Sequence, residues 1–160
     1  MTLRVGHGFD VHRFSDDPDR PLVLGGVRFT EGPGLAGHSD GDVVAHAVTE
    51  ALLAAAGLPD IGQLFPDTDP RWQGTDSLDL LAEAMGRVTA AGWAVANVDC
   101  TVVTERPRLA ARRAEMEERL GGVVGAPVTV KGRRAEGLGS LGRGEGIMAM
   151  AVALLESSPP

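Results

Sequence analysis

The residues best suited to chemistry fall in two short stretches, Asp10-Val11-His12 and Gly37-His38-Ser39-Asp40-Gly41-Asp42-Val43-Val44-Ala45-His46. In an extended segment Asp10 and His12 project to the same side. The pattern after Asp40 predicts the first turns of a helix, which would deliver a second imidazole, His46. One carboxylate and two imidazoles make a divalent-metal site, and three protein ligands leave a coordination position open, as catalysis requires. The donor set suits zinc. A facial-triad iron centre is the competing reading, but it usually presents His before the acid and on strands. Read singly, His12 is equally a surface residue and His46 a satisfied core histidine; the joint pattern, with Gly8 and Gly41 clearing space, favours a metal. Asp42 lies four residues before His46, shares its helix face and is expected to orient the imidazole. His7 reads as structural.

Three further stretches carry polar chemistry. His38 and Ser39 sit just ahead of the helix, where Ser39 or Asp40 can act as N-cap while backbone N–H groups remain for a phosphate. Asp60-Ile61-Gly62-Gln63-Leu64-Phe65-Pro66-Asp67-Thr68-Asp69-Pro70 holds three carboxylates and no basic residue, and is expected to lack a cationic partner. It reads either as a binder of sugar or polyol hydroxyls, or of a metal through water, or as an ordinary turn-rich loop. Lys131 to Gly146 is cationic and glycine-rich. Lys131, Arg133 and Arg134 can meet phosphate oxygens and Glu136 can hold a harder metal, although a plain surface loop fits as well. It is not a Walker A loop, because the GK[ST] ending is absent.

These stretches need elements to position them. Residues 3–13 and Val95 to Glu105 read as strands. Residues 21–30 read as a hairpin around Gly25-Gly26. Asp40 to Gly57 predicts a helix, and Asp76-Ser77 caps another that runs to about Ala91. Residues 60–75 read as a loop, Pro107 to Gly121 as a helix with Pro at its start, and Val128 to Lys131 as a short strand. Ile147 to Glu156 is either a strand or a buried helix. Interspersed strands and helices give an α/β or α+β class, with helices on one sheet face.

At 160 residues with 43% hydrophobic residues the chain is expected to form one domain over residues 1–156, with 157–160 a frayed tail. Its 22 glycines and 4% aromatics leave Val, Leu, Ala and Met to fill the core. The net charge of −7 argues against nucleic acid. Cys100, the single cysteine, reads as a buried strand residue. No signal-peptide pattern and no run of membrane-span length is visible, so a cytoplasmic location is expected and no membrane partner.

Taken together, Gly6-His7-Gly8-Phe9-Asp10-Val11-His12, His38-Ser39-Asp40-Gly41-Asp42, Asp60-Ile61-Gly62, Phe65-Pro66-Asp67-Thr68-Asp69 and Gly142-Arg143-Gly144-Glu145-Gly146 resemble the blocks of the 2-C-methyl-D-erythritol 2,4-cyclodiphosphate synthase family, in its order and over nearly the whole chain. The resemblance implies an α/β sandwich of the α+β class, a small mixed sheet with helices on one face, assembled as a homotrimer with active sites at subunit interfaces. It implies zinc, or another divalent cation, on Asp10, His12 and His46, and magnesium or manganese on the substrate diphosphate through Glu136. Asp60, Ile61, Gly62, Phe65, Pro66, Asp67, Thr68 and Asp69 match the segments that contact the methylerythritol phosphate. His38 and Ser39 match positions beside the phosphates. Thr104, Glu105, Arg106, Pro107, Arg108, Leu109 and Ala110 match the segment that holds cytidine. His38 and Arg134 match the positions of transition-state stabilisers. The family usually has a threonine-rich run where Arg133, Arg134 and Ala135 stand here, and Ser140 and Glu50 also depart from its pattern. Arg143 and Glu145 match residues near a trimer axis where isoprenoid diphosphates have been proposed to bind. The implied activity is release of CMP from a cytidine-diphosphate-linked substrate in non-mevalonate isoprenoid synthesis. The alternative is a trimer that binds cytidine or isoprenoid diphosphates with weakened catalysis.

Overall fold

A computed structural model describes residues 1–157. A four-stranded mixed sheet runs in the order β1 (Leu3–Arg13), β6 (Gly146–Ser157), β4 (Trp93–Val103), β5 (Val128–Arg133). β6 is antiparallel to both β1 and β4, and β4 is parallel to β5. A separate hairpin joins β2 (Leu22–Leu24) to β3 (Val27–Phe29). The helices are α1 (Val43–Ala56), α2 (Ile61–Leu64), α3 (Ser77–Ala90), α4 (Arg113–Val124) and α5 (Gly139–Gly142). Ile147 to Glu156, ambiguous in sequence, is strand throughout. Ser157, expected to belong to a frayed tail, is ordered instead. Ser157 is the last residue of β6, and its N–H donates to the Thr2 carbonyl at 2.8 Å. Residues 158–160 lie outside the described part.

Alternation along the strands sorts the side chains. Val98, Cys100, Val102, Val130, Ala149, Ala151, Ala153 and Leu155 are buried in one core with α1, Met116 and Leu120. Burial pushes the Cys100 thiol up to about 12, so it is an inert core residue, as expected. On β1 the residues in step with that face are Gly6 and Gly8. The missing side chains admit the backbone of α1. A Cβ on Gly8 would fall inside the van der Waals shell of the Ala47 carbonyl oxygen, and one on Gly6 would overlap the Ala51 carbonyl oxygen. The alternate residues Val5, Phe9, Val11 and Val152 are exposed.

α1 begins three residues later than its sequence pattern suggests. Its cap is Asp42 rather than Ser39 or Asp40. The buried Asp42 carboxylate accepts the N–H groups of Val44 and Ala45, and also those of Gly25 and Gly26 at the hairpin turn. Both turn glycines have positive φ, as a two-residue hairpin turn of this hand requires. One carboxylate thus ties the hairpin to the start of α1. Gly57 ends the helix in the left-handed region.

Two expectations change. The helix read from Pro107 starts at Arg113. Residues before it are held as a loop against the end of β5, where Thr104 N–H donates to the Arg133 carbonyl and the Thr104 hydroxyl to that of Arg106. The loop 60–75 contains two short helical turns, α2 and a 3-10 turn at Pro70–Trp72, capped by Asp60 and Asp69.

The β1–α1 contact yields a stability prediction. Gly8→Ala should cost about 1–3 kcal/mol, because backbone rather than a flexible side chain must move. Urea unfolding measures it; an unchanged midpoint would show that the close approach is not needed.

Candidate metal centre and substrate clefts

Asp10 and His12 project together from β1, and α1 brings His46 over them. His12 Nε2 and His46 Nδ1 each lie 2.9 Å from Asp10 Oδ2. The three ligating atoms lie within 4.8 Å of one another, and no other group of three such residues is found among the described residues. Burial opposes charge on Asp10, but hydrogen bonds from His12 and His46 outweigh it and hold the carboxyl well below the usual carboxylate range. Burial likewise opposes charge on His12, yet the bond to Asp10 and its charge raise the imidazole above its ordinary value.

The far nitrogen of each ring is engaged by protein, which orients the near one. His12 Nδ1 meets the Ala36 carbonyl. His46 Nε2 lies 3.1 Å from Ser39 Oγ and 2.9 Å from Ser77 Oγ. The orienting role expected of Asp42 is not observed, since its oxygens are committed to the cap and hairpin. A mixed nitrogen–oxygen set with both imidazoles so aligned fits a zinc ion.

The other candidate residues divide between separate clefts rather than gathering in one. A cleft of about 680 Å³ holds the triad with His38, Ser39, Asp60, Ile61, Gly62, Phe65 and Asp67. Pro66, Thr68 and Asp69 do not line it. The Asp69 carboxylate instead grips Arg71, with Oδ2 2.6 Å from Nη2, and the guanidinium holds the carboxyl below its usual range. That corrects the expectation of a loop without cationic partners. The Asp69 carbonyl accepts from His38 Nε2 at 3.2 Å, so this residue positions His38 through its backbone.

A second cleft of about 720 Å³ is lined by Thr104, Glu105, Arg106, Pro107, Arg108, Leu109 and Ala110 with Lys131, Arg133 and Arg134. Arg134 donates through Nε and Nη2 to Glu105 Oε2 at 3.0 and 2.9 Å, and Glu105 Oε1 accepts the Ala135 N–H at 2.9 Å. The guanidinium holds the Glu105 carboxyl below its usual range. Ala135 and Glu136 lie beyond the lining, and Glu136 is exposed with a φ of 53°. Arg143 lines a third, smaller cleft with Phe14, Pro33 and Arg106, and its guanidinium pairs with Glu145 at 2.6 Å.

Sequence reasoning missed Ser77, Glu50 and Trp72. Ser77 at a helix start reads as a cap, and nothing in its neighbourhood points to His46. Glu50 lines the triad cleft and accepts the Ile61 N–H at 3.0 Å. The Trp72 ring stacks edge-on with Phe65, at 5.1 Å between centroids, also in that cleft.

Comparison with known proteins agrees with the geometry. The profile of the YgbB family matches residues 3–156. A 2-C-methyl-D-erythritol 2,4-cyclodiphosphate synthase from Rubrobacter xylanophilus is 56% identical over 157 residues, covering 96% of this chain and 94% of its own. The solved bifunctional IspDF from Campylobacter jejuni superposes with a TM-score of 0.92 at 38% identity, over 98% of this chain and 42% of that one. The Plasmodium falciparum IspF in complex with CDP gives 0.84 at 29% identity, over 98% and 97% of the two chains. Relatives named as synthases speak against the binding-only alternative. With its Asp10, His12 and His46 cluster, mixed sheet and full-length match, the chain belongs to the YgbB family, that of the 2-C-methyl-D-erythritol 2,4-cyclodiphosphate synthases.

Proposed function

We propose that this chain converts 4-diphosphocytidyl-2-C-methyl-D-erythritol 2-phosphate to 2-C-methyl-D-erythritol 2,4-cyclodiphosphate and releases CMP, in non-mevalonate isoprenoid precursor synthesis. The observation that carries the reading is the convergence of Asp10, His12 and His46 in one cleft with Asp60, Ile61, Gly62 and Asp67. In this reaction an oxygen of the 2-phosphate attacks the β-phosphorus of the same molecule. The bond from that phosphorus to the bridging oxygen breaks, and the oxygen leaves with CMP. One P–O bond forms and one breaks, with no water consumed and no protein nucleophile required.

The protein's task is to bring two anionic groups together and neutralise them. Holding both ends of one molecule supplies the entropic advantage. His38 and Ser39 stand beside the triad, where the phosphates meet. The loop Thr104–Ala110 holds cytidine, and Arg133 and Arg134 face the diphosphate in place of the family's hydroxyl groups. Glu105 anchors Arg134 so that its charge is aimed rather than mobile. Zinc on the triad, and magnesium or manganese shared between Glu136 and the diphosphate, would supply electrostatic stabilisation of the phosphoryl oxygens.

The two large clefts share no lining residue. The reading therefore includes a homotrimer in which the cytidine cleft of one copy meets the triad cleft of the next. The exposed apolar residues Val5, Phe9, Val11 and Val152 support burial of that sheet face between copies. Arg143 and Glu145 would then lie toward the axis, where an isoprenoid diphosphate is a candidate ligand.

Purified protein with zinc and magnesium should release CMP from the authentic substrate. A chelator or Asp10→Ala should stop the release, while Arg134→Ala should lower kcat/KM on the order of 100-fold. No CMP from folded, metal-loaded protein would refute the synthase reading and leave ligand binding without chemistry.

Zinc affinity should rise with pH and binding should release protons. Asp10 holds a proton on His12 above the ordinary imidazole value of about 6.5, and zinc must displace it. Calorimetry in two buffers of different ionisation enthalpy tests this. Identical heats in both would contradict it.

A further inference from the structure

We propose that Asp40 and Ser77 fix the proton of His46 on Nε2, reserve Nδ1 for the metal, and so make Ser77 a positioning residue of the centre. The proposal rests on the zinc reading above.

The argument is a proton inventory. Ser77 is fully buried and is the first residue of α3, 31 positions from His46. Its Oγ lies 2.9 Å from His46 Nε2 and is also hydrogen-bonded to Asp40 Oδ1. Its backbone N–H donates to Asp40 Oδ2 at 3.1 Å, so one carboxylate grips Ser77 at two points. A carboxylate offers lone pairs only, so the single hydroxyl proton of Ser77 goes to Asp40. What Ser77 Oγ then turns to the imidazole is a lone pair, which an N–H on Nε2 meets. Ser39 Oγ, 3.1 Å from the same nitrogen and 3.3 Å from Ser77 Oγ, fits this state by turning its own proton to Ser77 and a lone pair to Nε2. When a metal takes the place of the hydrogen bond between Nδ1 and Asp10, 2.9 Å apart here, the lone pair it needs is therefore on Nδ1.

His12 reaches the same state by another route. Its Nδ1–H donates to the Ala36 carbonyl, which leaves Nε2 facing Asp10. Both rings are thus held with the ligating nitrogen toward one point. The hydroxyl of Ser77 is not needed to cap α3. Asp76 does that, accepting the Leu78 N–H at 2.8 Å.

The test is zinc affinity by chelator competition on the full chain, with Ser77→Ala, Asp40→Asn and Asp76→Ala beside the native protein. Ser77→Ala is expected to bind zinc 10–100-fold more weakly, and Asp40→Asn to weaken it in the same direction. Asp76→Ala should destabilise α3 and leave zinc affinity unchanged. In ¹⁵N-histidine spectra of the zinc-loaded native protein, His46 should show an Nε2–H protected from exchange, which Ser77→Ala exposes. Zinc affinity in Ser77→Ala within twofold of native would overturn the proposal, as would an equal loss in Asp76→Ala. Should Ser77→Ala fail to fold, native affinity in Asp40→Asn would overturn it alone. Asp10→Ala separates the two readings. If it binds zinc as the native protein does, the metal assignment itself fails; if it does not bind while Ser77→Ala binds normally, only the relay fails.

Discussion

The close approach of β1 to α1 is the constraint on which the rest of the structure depends. Gly6 and Gly8 remove two side chains from the strand, and Ala47, Ala51 and Ala55 keep the facing helix surface small. The helix backbone settles onto the strand backbone, and His46 comes down beside Asp10 and His12. Any side chain at Gly8 would lift the helix and with it the third ligand. The same demand reaches the neighbouring strand, where Ala149, Ala151 and Ala153 continue the shallow surface under α1. Many small side chains replace a few large ones, and the core draws its stability from dense contact across flat elements.

Charge is distributed unevenly over this frame. The chain as a whole carries −7, yet six of its fifteen basic residues line the cleft around Thr104–Ala110. The triad cleft is carboxylate-rich, with Asp10, Glu50, Asp60 and Asp67 in its lining, and offers a place for a metal cation. The proposed substrate, with a phosphate at one end and a diphosphate at the other, would draw on both clefts, because an anion cannot approach bare carboxylates without an intervening cation. Glu105 restrains the cationic side: by gripping Arg134 it keeps a long side chain from collapsing into the cleft.

Much of this was legible from residue types and spacing. Alternation gave β1, and helical periodicity gave α1 and α3. The Gly-Gly pair gave the hairpin, and the Asp-x-His pair with a later His gave the cluster of Asp10, His12 and His46. What the spacing did not reveal was the identity of the partners beyond it. Asp42, four residues from His46, is the natural local choice to orient that ring, but the hairpin turn and helix start compete for its oxygens and win. The residues that do meet His46 Nε2 are Ser39 and Ser77. Ser77 arrives through the packing of α3 on α1, a non-local event with no periodic signature. The start of α4 was misplaced for a similar reason. Pro107 resembles a helix opener, but residues 104–112 are drawn into a loop by bonds to β5. The candidate site residues occupy separate clefts within one chain, a division that only three-dimensional placement discloses.

The pairing at the ends of β1 and β6 has an architectural consequence. Thr2 and Ser157 exchange hydrogen bonds, Thr2 N–H to Ser157 Oγ at 2.9 Å and Ser157 N–H to the Thr2 carbonyl at 2.8 Å, so both ends of the described chain leave from one corner of the sheet. Asp10 lies seven residues farther along β1 than Leu3, roughly 23 Å at the usual rise of a strand. Sequence appended at either end therefore departs from a shared point remote from the metal ligands. A fold with that geometry can be carried as a cassette within a longer polypeptide and keep its chemistry at the opposite end of the sheet.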